Sequence, residues 1–177
     1  MEKEEMKKLL EKYPFLIHKN IFSQEVCYQT EEENLECNWY TEWDGYGWEK
    51  IWKQFMQELF KEYDKLPDEA KEKFAIFDAK DKYGTLRVFL SGYTDGMRKA
   101  ESTLRFLSSV TCQYCGKQPR DSKGNHIIWT TEGWITNLCK DCFKKEVLKN
   151  KSIKQFSKEE FKEYVIMCRQ KKSQKFV

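Results

Sequence analysis

The chain is short of the residues most enzymes and membrane proteins need. Among its 177 residues are only two histidines, His18 and His126, and only 3 Pro and 8 Gly. It contains no Gly-rich phosphate loop, no Ser-His-Asp set and no nucleophile elbow. Carboxylates are abundant, but nothing in their spacing pairs them into a site, so no catalytic residue is assigned. No apolar run approaches the roughly 20 residues a membrane span requires, and no membrane role is expected. The opening Met1-Glu2-Lys3-Glu4-Glu5 lacks the basic and apolar regions of a secretory signal. No Gly/Ser-rich or Pro-rich linker interrupts the sequence, and there are no internal repeats.

Aromatics, in contrast, are plentiful. Six Trp, 9 Tyr and 12 Phe can fill a core in few positions. Charge nearly cancels at +3 overall but is unevenly spread. Residues 1–109 hold 17 Lys/Arg against 22 Asp/Glu, whereas residues 144–177 hold 11 against 4. The basic end is where a polyanion would bind, unless it is simply a solvated tail.

Seven cysteines are an odd number for a disulfide framework, and four of them form two Cys-x-x-Cys pairs. That usage favours metal ligation in a reducing cytoplasm. Cys112-x-x-Cys115 and Cys139-x-x-Cys142 are separated by 23 residues, enough for a small hairpin. Two intervening residues let a tight turn present both sulfurs to one ion, and Gly116 suits the backbone angles of such a turn. Strands are expected at Ile127-Ile128-Trp129 and Trp134-Ile135-Thr136. This is the layout of a zinc ribbon, with Cys112, Cys115, Cys139 and Cys142 as ligands to one structural zinc. Cys27, Cys37 and Cys168 read as small buried hydrophobes.

Elsewhere periodicity places the elements. Residues 2–12 form a charged helix that stops before Pro14. Residues 20–43 are mixed, with short strands expected on either side of the acidic run Glu31-Glu32-Glu33. Trp48, Trp52, Phe55, Leu59, Tyr63 and Leu66 recur at steps of three and four, a helix ended by Pro67. Residues 74–91 form a β-hairpin with Leu86, Val88 and Leu90 on one face. Thr94 or Asp95 caps a helix to about Ser109 with Met97, Ala100, Leu104 and Leu107 inward. A last helix begins at Ser157, where Glu160 completes a capping box. The fold class is α+β: a small antiparallel hairpin packed on amphipathic helices, with a zinc-ribbon module. Its parts are a body at 1–109, the ribbon at 110–143 and a basic helical tail at 144–177.

Two groups are candidate partner surfaces. Trp39, Trp43 and Tyr46 lie in the densest aromatic stretch and offer large contact area at low entropy cost, or else fill a core corner. Lys82, Tyr83 and Arg87 cluster at the hairpin turn, as a basic-aromatic tip or as an ordinary solvated turn.

The order Cys112-x-x-Cys115-Gly116, Asn125-His126-Ile127-Ile128, Asn137-Leu138-Cys139-x-x-Cys142 resembles an HNH endonuclease with a structural zinc. Asn125 stands where that family has Asp, and Phe143 where it has the metal-holding His. The resemblance therefore implies a retained scaffold, with His126 the residue to test for a divergent nuclease. A second resemblance covers roughly residues 43–142. Trp43-Asp44-Gly45-Tyr46-Gly47-Trp48, Lys80-Asp81-Lys82-Tyr83-Gly84-Thr85-Leu86-Arg87, Ala100-Glu101-Ser102 and the cysteine pairs with Gly133-Trp134 resemble a group of small uncharacterised phage and prophage proteins. It implies a bacterial cytoplasm and an accessory protein that grips host machinery, including defence systems. The expected partner is a host protein, with nucleic acid bound by the ribbon and basic tail as the alternative.

Overall fold

The computed structural model describes residues 1–131 and 135–149. The expected helix at Ser157, and residues Glu132, Gly133 and Trp134, the last the expected start of the returning strand, lie outside them. The architecture is mixed: six α-helices, one short 3-10 helix and two antiparallel two-stranded sheets among the described residues. None of these helices is long and apolar enough to cross a membrane.

The described residues form two units. The first comprises 1–45, 49–81 and 86–105; the second comprises 46–48, 82–85 and the described residues from Phe106 onward. Within the first unit, α1 (Lys3–Lys12) buries Met6 and Leu10 and gives way to a 3-10 turn at Pro14–Leu16. Helix α3 (Glu49–Asp64) buries Trp52, Phe55, Leu59 and Tyr63 as its spacing predicts, and Ile51 and Met56 besides; Trp48 precedes it. It ends at Asp64, so Leu66 lies past its last turn. Side chains of this size are each worth about 1.5–3 kcal/mol when fully buried. Their aromatic members interlock: Tyr13 stacks on Phe60 at 4.0 Å, and Phe15 meets Tyr63 at 4.5 Å and Phe74 at 5.2 Å.

Two short helices depart from the sequence expectation. The acidic run becomes α2 (Glu31–Glu36) instead of a loop between strands. Thr30 and Glu33 close a reciprocal capping box there, and three acidic side chains sit in the first turn, where the helix dipole favours them. The expected flanking strands reduce to isolated bridges, Ile17 with Asn38 and Lys19 with Val26. Pro67 ends one helix but also precedes another, α4 (Asp68–Lys73), which has acids in its first turn and lysines in its last.

The hairpin forms as expected. Strand β1 (Ile76–Asp81) pairs antiparallel with β2 (Leu86–Leu90), with Leu86, Val88 and Leu90 buried. Helix α5 (Asp95–Val110) is capped by Thr94, whose Oγ1 accepts the Met97 amide at 3.1 Å; Met97, Ala100 and Leu104 are buried.

In the second unit, β3 (Trp129–Thr130) pairs with β4 (Asn137–Leu138), and α6 (Lys140–Lys149) follows directly. The returning strand therefore lies later than the expected 134–136. Its position is set by Gln113: the Asn137 amide donates to Gln113 Oε1 at 2.6 Å and the Gln113 amide to the Asn137 carbonyl at 2.8 Å.

Candidate metal centre

The first cysteine pair is presented by a knuckle. The Gly116 amide donates to the Cys112 carbonyl and the Cys112 amide to the Lys117 carbonyl, both at 2.9 Å, and Gly116 takes φ +71° as its sequence position suggested. The second pair straddles the start of α6. Cys139 immediately precedes the helix, Cys142 lies in its first turn, and the Phe143 amide donates to the Cys139 carbonyl at 2.9 Å. A helix N-terminus favours anionic sulfur.

These elements bring all four sulfurs within 4.8 Å of one another, with Cys115 Sγ and Cys139 Sγ 3.6 Å apart. That separation excludes a disulfide, whose sulfurs lie about 2.05 Å apart. A tetrahedral ion with metal–sulfur bonds of about 2.3 Å would place its sulfurs about 3.8 Å apart. The four cysteines can thus hold one metal ion. Burial pushes the Cys115 and Cys142 thiols up. Burial opposes ionisation of Cys139 too, but the Cys142 amide and the neighbouring thiols donate to its sulfur and bring it down. Four thiolates so close together require a cation among them.

The site is set in a small core. Cys112, Leu138, Cys139 and Phe143 are buried together, with Trp129 and Cys142 packed against them. Phe143, the position of the metal-holding histidine in the nuclease pattern, is 1% exposed within that core. Asn137 is buried and tied to Gln113. Asn125 donates to Asp121 Oδ2 at 3.1 Å, within a turn where Asp121 Oδ1 also accepts the Lys123 and Asn125 amides. His126 stands outside the sulfur group, its ring edge-on to Phe106 at 6.2 Å. Burial, and then the Arg120 charge, push its pKa down, so it is a neutral imidazole near pH 7.

The second unit also contains two segments from far upstream. Gly47 donates its amide to the Gln113 carbonyl at 2.7 Å, and Trp48 donates its indole N–H to the Thr111 carbonyl at 3.2 Å. A Cβ on Gly47 would lie 2.3 Å from the Cys112 carbonyl oxygen and 2.5 Å from the Gly116 nitrogen, so only glycine fits against the knuckle. At the hairpin turn, Lys82 and Thr85 exchange backbone hydrogen bonds around Tyr83 and Gly84, whose φ values are +56° and +72°. Two central residues with positive φ make this a type I′ turn.

The candidate partner residues separate. Trp39 is a core side chain, 5% exposed, stacked on His18 at 3.8 Å, its carbonyl accepting the Trp52 indole at 2.7 Å. It is no part of a partner surface: its ring fills a core corner. Trp43 is half-buried, edge-on to Trp52. Arg87 is also half-buried, its pKa lowered by burial and by Arg105 and partly restored by Glu101, so it is not part of an exposed tip. Tyr46, Lys82 and Tyr83 are exposed, and all three belong to the second unit. Cys27 and Cys37 are exposed as well, contrary to the expectation of buried thiols, because the 20–37 segment forms loops and a short α2 with no fully buried residue.

Sequence reasoning missed several exposed side chains, Ile21, Phe22, Val26, Phe106 and Tyr114 among them. Phe22, 93% exposed, caps a loop pinned by Asn20, whose Oδ1 accepts the Phe22 and Ser23 amides at 2.8 and 3.1 Å. Tyr114 sits in the knuckle, and Phe106 on α5. Ile21-Phe22 is a lone apolar pair among polar residues and carries no periodic signal, and Tyr114 is an x of the Cys-x-x-Cys pattern.

No family model matches the chain, and no curated protein or solved structure matches it. The chemistry of the site therefore rests on its own geometry.

Proposed function

We propose that this is a non-enzymatic protein with one structural zinc, acting inside a bacterial host as a phage accessory protein that binds a host protein, in the manner of an inhibitor of a defence system. One observation carries the non-enzymatic part. The four sulfurs lie within 4.8 Å of one another, enough donors to fill a tetrahedral shell, and Phe143 packs into the core at the position a nuclease would use to hold a second, catalytic metal. A closed shell has no position for an activated water. Zinc is the ion that four thiolates in a reducing compartment select best, by softness and by tetrahedral preference.

The protein-binding part is supported by the Phe22 loop. Ile21, Phe22 and Val26 are exposed on a loop whose backbone is fixed by side-chain hydrogen bonds, in the acidic first unit. A preorganised aromatic tip is the kind of anchor that fills a partner's apolar pocket.

The test has two arms. Elemental analysis of reduced protein is expected to give one zinc per chain, and incubation with DNA or RNA and magnesium or manganese is expected to leave the nucleic acid intact. Affinity capture from bacterial lysate is then compared between the native chain and Phe22→Ser. Cleavage that His126→Ala abolishes would overturn the non-enzymatic reading. Identical captured proteins in both samples would overturn the role of the loop.

A further inference from the structure

The second unit carries a surface unlike the Phe22 loop. Its frame is a chain of hydrogen bonds joining four segments that are distant in sequence. The Gly47 amide donates to the Gln113 carbonyl, Gln113 and Asn137 exchange two bonds, and Asn137 Nδ2 donates to the Gly84 carbonyl. Three of the four segments, those of Gly47, Gln113 and Gly84, bear a solvent-exposed tyrosine next to the framed residue. Tyr46 precedes Gly47, Tyr114 follows Gln113, and Tyr83 precedes Gly84; they are 58%, 50% and 72% exposed.

The backbone beneath these rings is fixed: Tyr83 is displayed by the type I′ turn, and Tyr46 and Tyr114 adjoin Gly47 and Gln113, which are bonded to each other. That turn has a cost. Asn-Gly is its favoured pair, and a tyrosine at positive φ is unfavourable by about 1–2 kcal/mol. An aromatic ring displayed to solvent from a strained backbone position is not explained by folding.

The charge of the unit narrows what these rings meet. Its described residues carry eight Lys/Arg (Lys82, Arg120 and Lys140 among them) against three Asp/Glu, whereas the first unit carries 16 against 22. Seven of the eight cations are lysines, the residue depleted from protein–protein interfaces, where arginine is the enriched cation. Tyrosine faces among lysines suit a different partner: bases stack on the rings and phosphates meet the ammonium groups. Duplex DNA would offer the phosphates but keep its bases stacked inside, leaving the tyrosines unused.

We infer that the cysteine unit binds single-stranded nucleic acid, with Tyr46, Tyr83 and Tyr114 as stacking platforms and Lys82 as a phosphate contact. The inference goes beyond the proposed capture of a host protein by the Phe22 loop and uses a different surface. Its failure leaves that reading standing.

The experiment is fluorescence anisotropy on the zinc-loaded full chain. The probes are a labelled oligonucleotide of about 20 thymidines and a duplex of equal length, titrated at about 50 and about 200 mM salt. Tighter binding of the single strand is expected. Tyr83→Ala and Tyr114→Ala should each weaken it by about 5- to 100-fold, with circular dichroism and zinc content unchanged. Tyr83→Asn, which suits the turn, should fold at least as well and bind as poorly as Tyr83→Ala, while Tyr83→Trp should restore affinity. Lys82→Gln should lower the slope of log affinity against log salt by about 0.7. Undetectable binding at the lower salt would overturn the inference. So would equal affinity for the duplex, or tyrosine variants that bind as the native chain does. Competition by a captured host protein for Tyr83, with no oligonucleotide bound, would assign the surface to protein instead.

Discussion

The side chain of Asn137 donates a hydrogen bond to the backbone carbonyl of Gly84, 53 residues earlier. The two also meet sterically: a Cβ on Gly84 would lie 2.9 Å from the Asn137 amide group. Removing either partner should be destabilising for a different reason. Asn137→Ala leaves a buried carbonyl without that donor, at a cost of about 1–3 kcal/mol. Gly84→Ala forces a methyl group into the amide at a positive φ, at a similar cost. In the double variant the obstructing amide is gone. Denaturant melts should therefore show the pair less destabilised than the sum of the singles. Strict additivity would mean the two residues do not communicate.

Gly47 offers a sharper test, because what surrounds it is backbone. An alanine methyl would collide with the Cys112 carbonyl, the Gly116 amide and the Cys115 amide, at 2.3, 2.5 and 2.8 Å. None of these can rotate away as a side chain would. Gly47→Ala should deform the knuckle that presents Cys112 and Cys115. We expect destabilisation of about 3 kcal/mol or more and a metal affinity at least about tenfold weaker in competition with a chromophoric chelator. Gly45→Ala is the control: its Cβ meets nothing within 4 Å, so only its φ of +79° resists the change.

These two glycines also mark what the sequence could and could not disclose. The helices α3 and α5 and the hairpin were legible because their apolar residues repeat at helical or strand spacing over many positions. The four cysteines were legible because each pair is local and its chemistry admits few alternatives. Helix α2 is signalled in the sequence by Thr30 and Glu33, the two halves of its capping box. Strand β4 is not, since its position is fixed by Gln113 through a long-range hydrogen bond. Nor did anything local say that the Tyr46-Gly47-Trp48 and Lys82-Tyr83-Gly84-Thr85 segments fold with the cysteines. Each looked like part of the helical and hairpin region it interrupts.

Acidification should destabilise the first unit through His18. Burial pushes its pKa below the usual 6.5; the approach of Glu42, at 3.9 Å, is too long to offset that. The folded state thus binds a proton less readily than the unfolded chain. Stability is fully present above the unfolded pKa and declines as pH falls below it toward the folded value. His18→Gln should flatten the dependence of unfolding free energy on pH as the pH falls through and below about 6.5. The same variant removes the ring stacked on Trp39, so the slope, not the absolute stability, is the readout. An unchanged slope would show that His18 titrates alike in both states.

The four ligands should not be equivalent, because their surroundings differ. Cys139 is buried with Cys112, Leu138 and Phe143, whereas Cys115 lies at the exposed edge of the site. Serine keeps the shape of cysteine but binds a soft ion weakly and brings a hydroxyl that needs a partner when buried. Cys115→Ser therefore loses mainly a metal bond and can hydrate its hydroxyl. Cys139→Ser loses the bond, the hydrogen bonds its sulfur accepts at the start of α6, and apolar packing. Since binding energy at such a site is largely folding energy, Cys139→Ser should release the ion and unfold the cysteine unit. The added loss relative to Cys115→Ser should be about 1–3 kcal/mol. Hydrogen exchange can separate the two: amides of residues 112–117 and 137–143 should lose protection in Cys139→Ser and keep part of it in Cys115→Ser. Equal loss in both would mean that the metal alone, without the core formed by Leu138 and Phe143, holds the unit together.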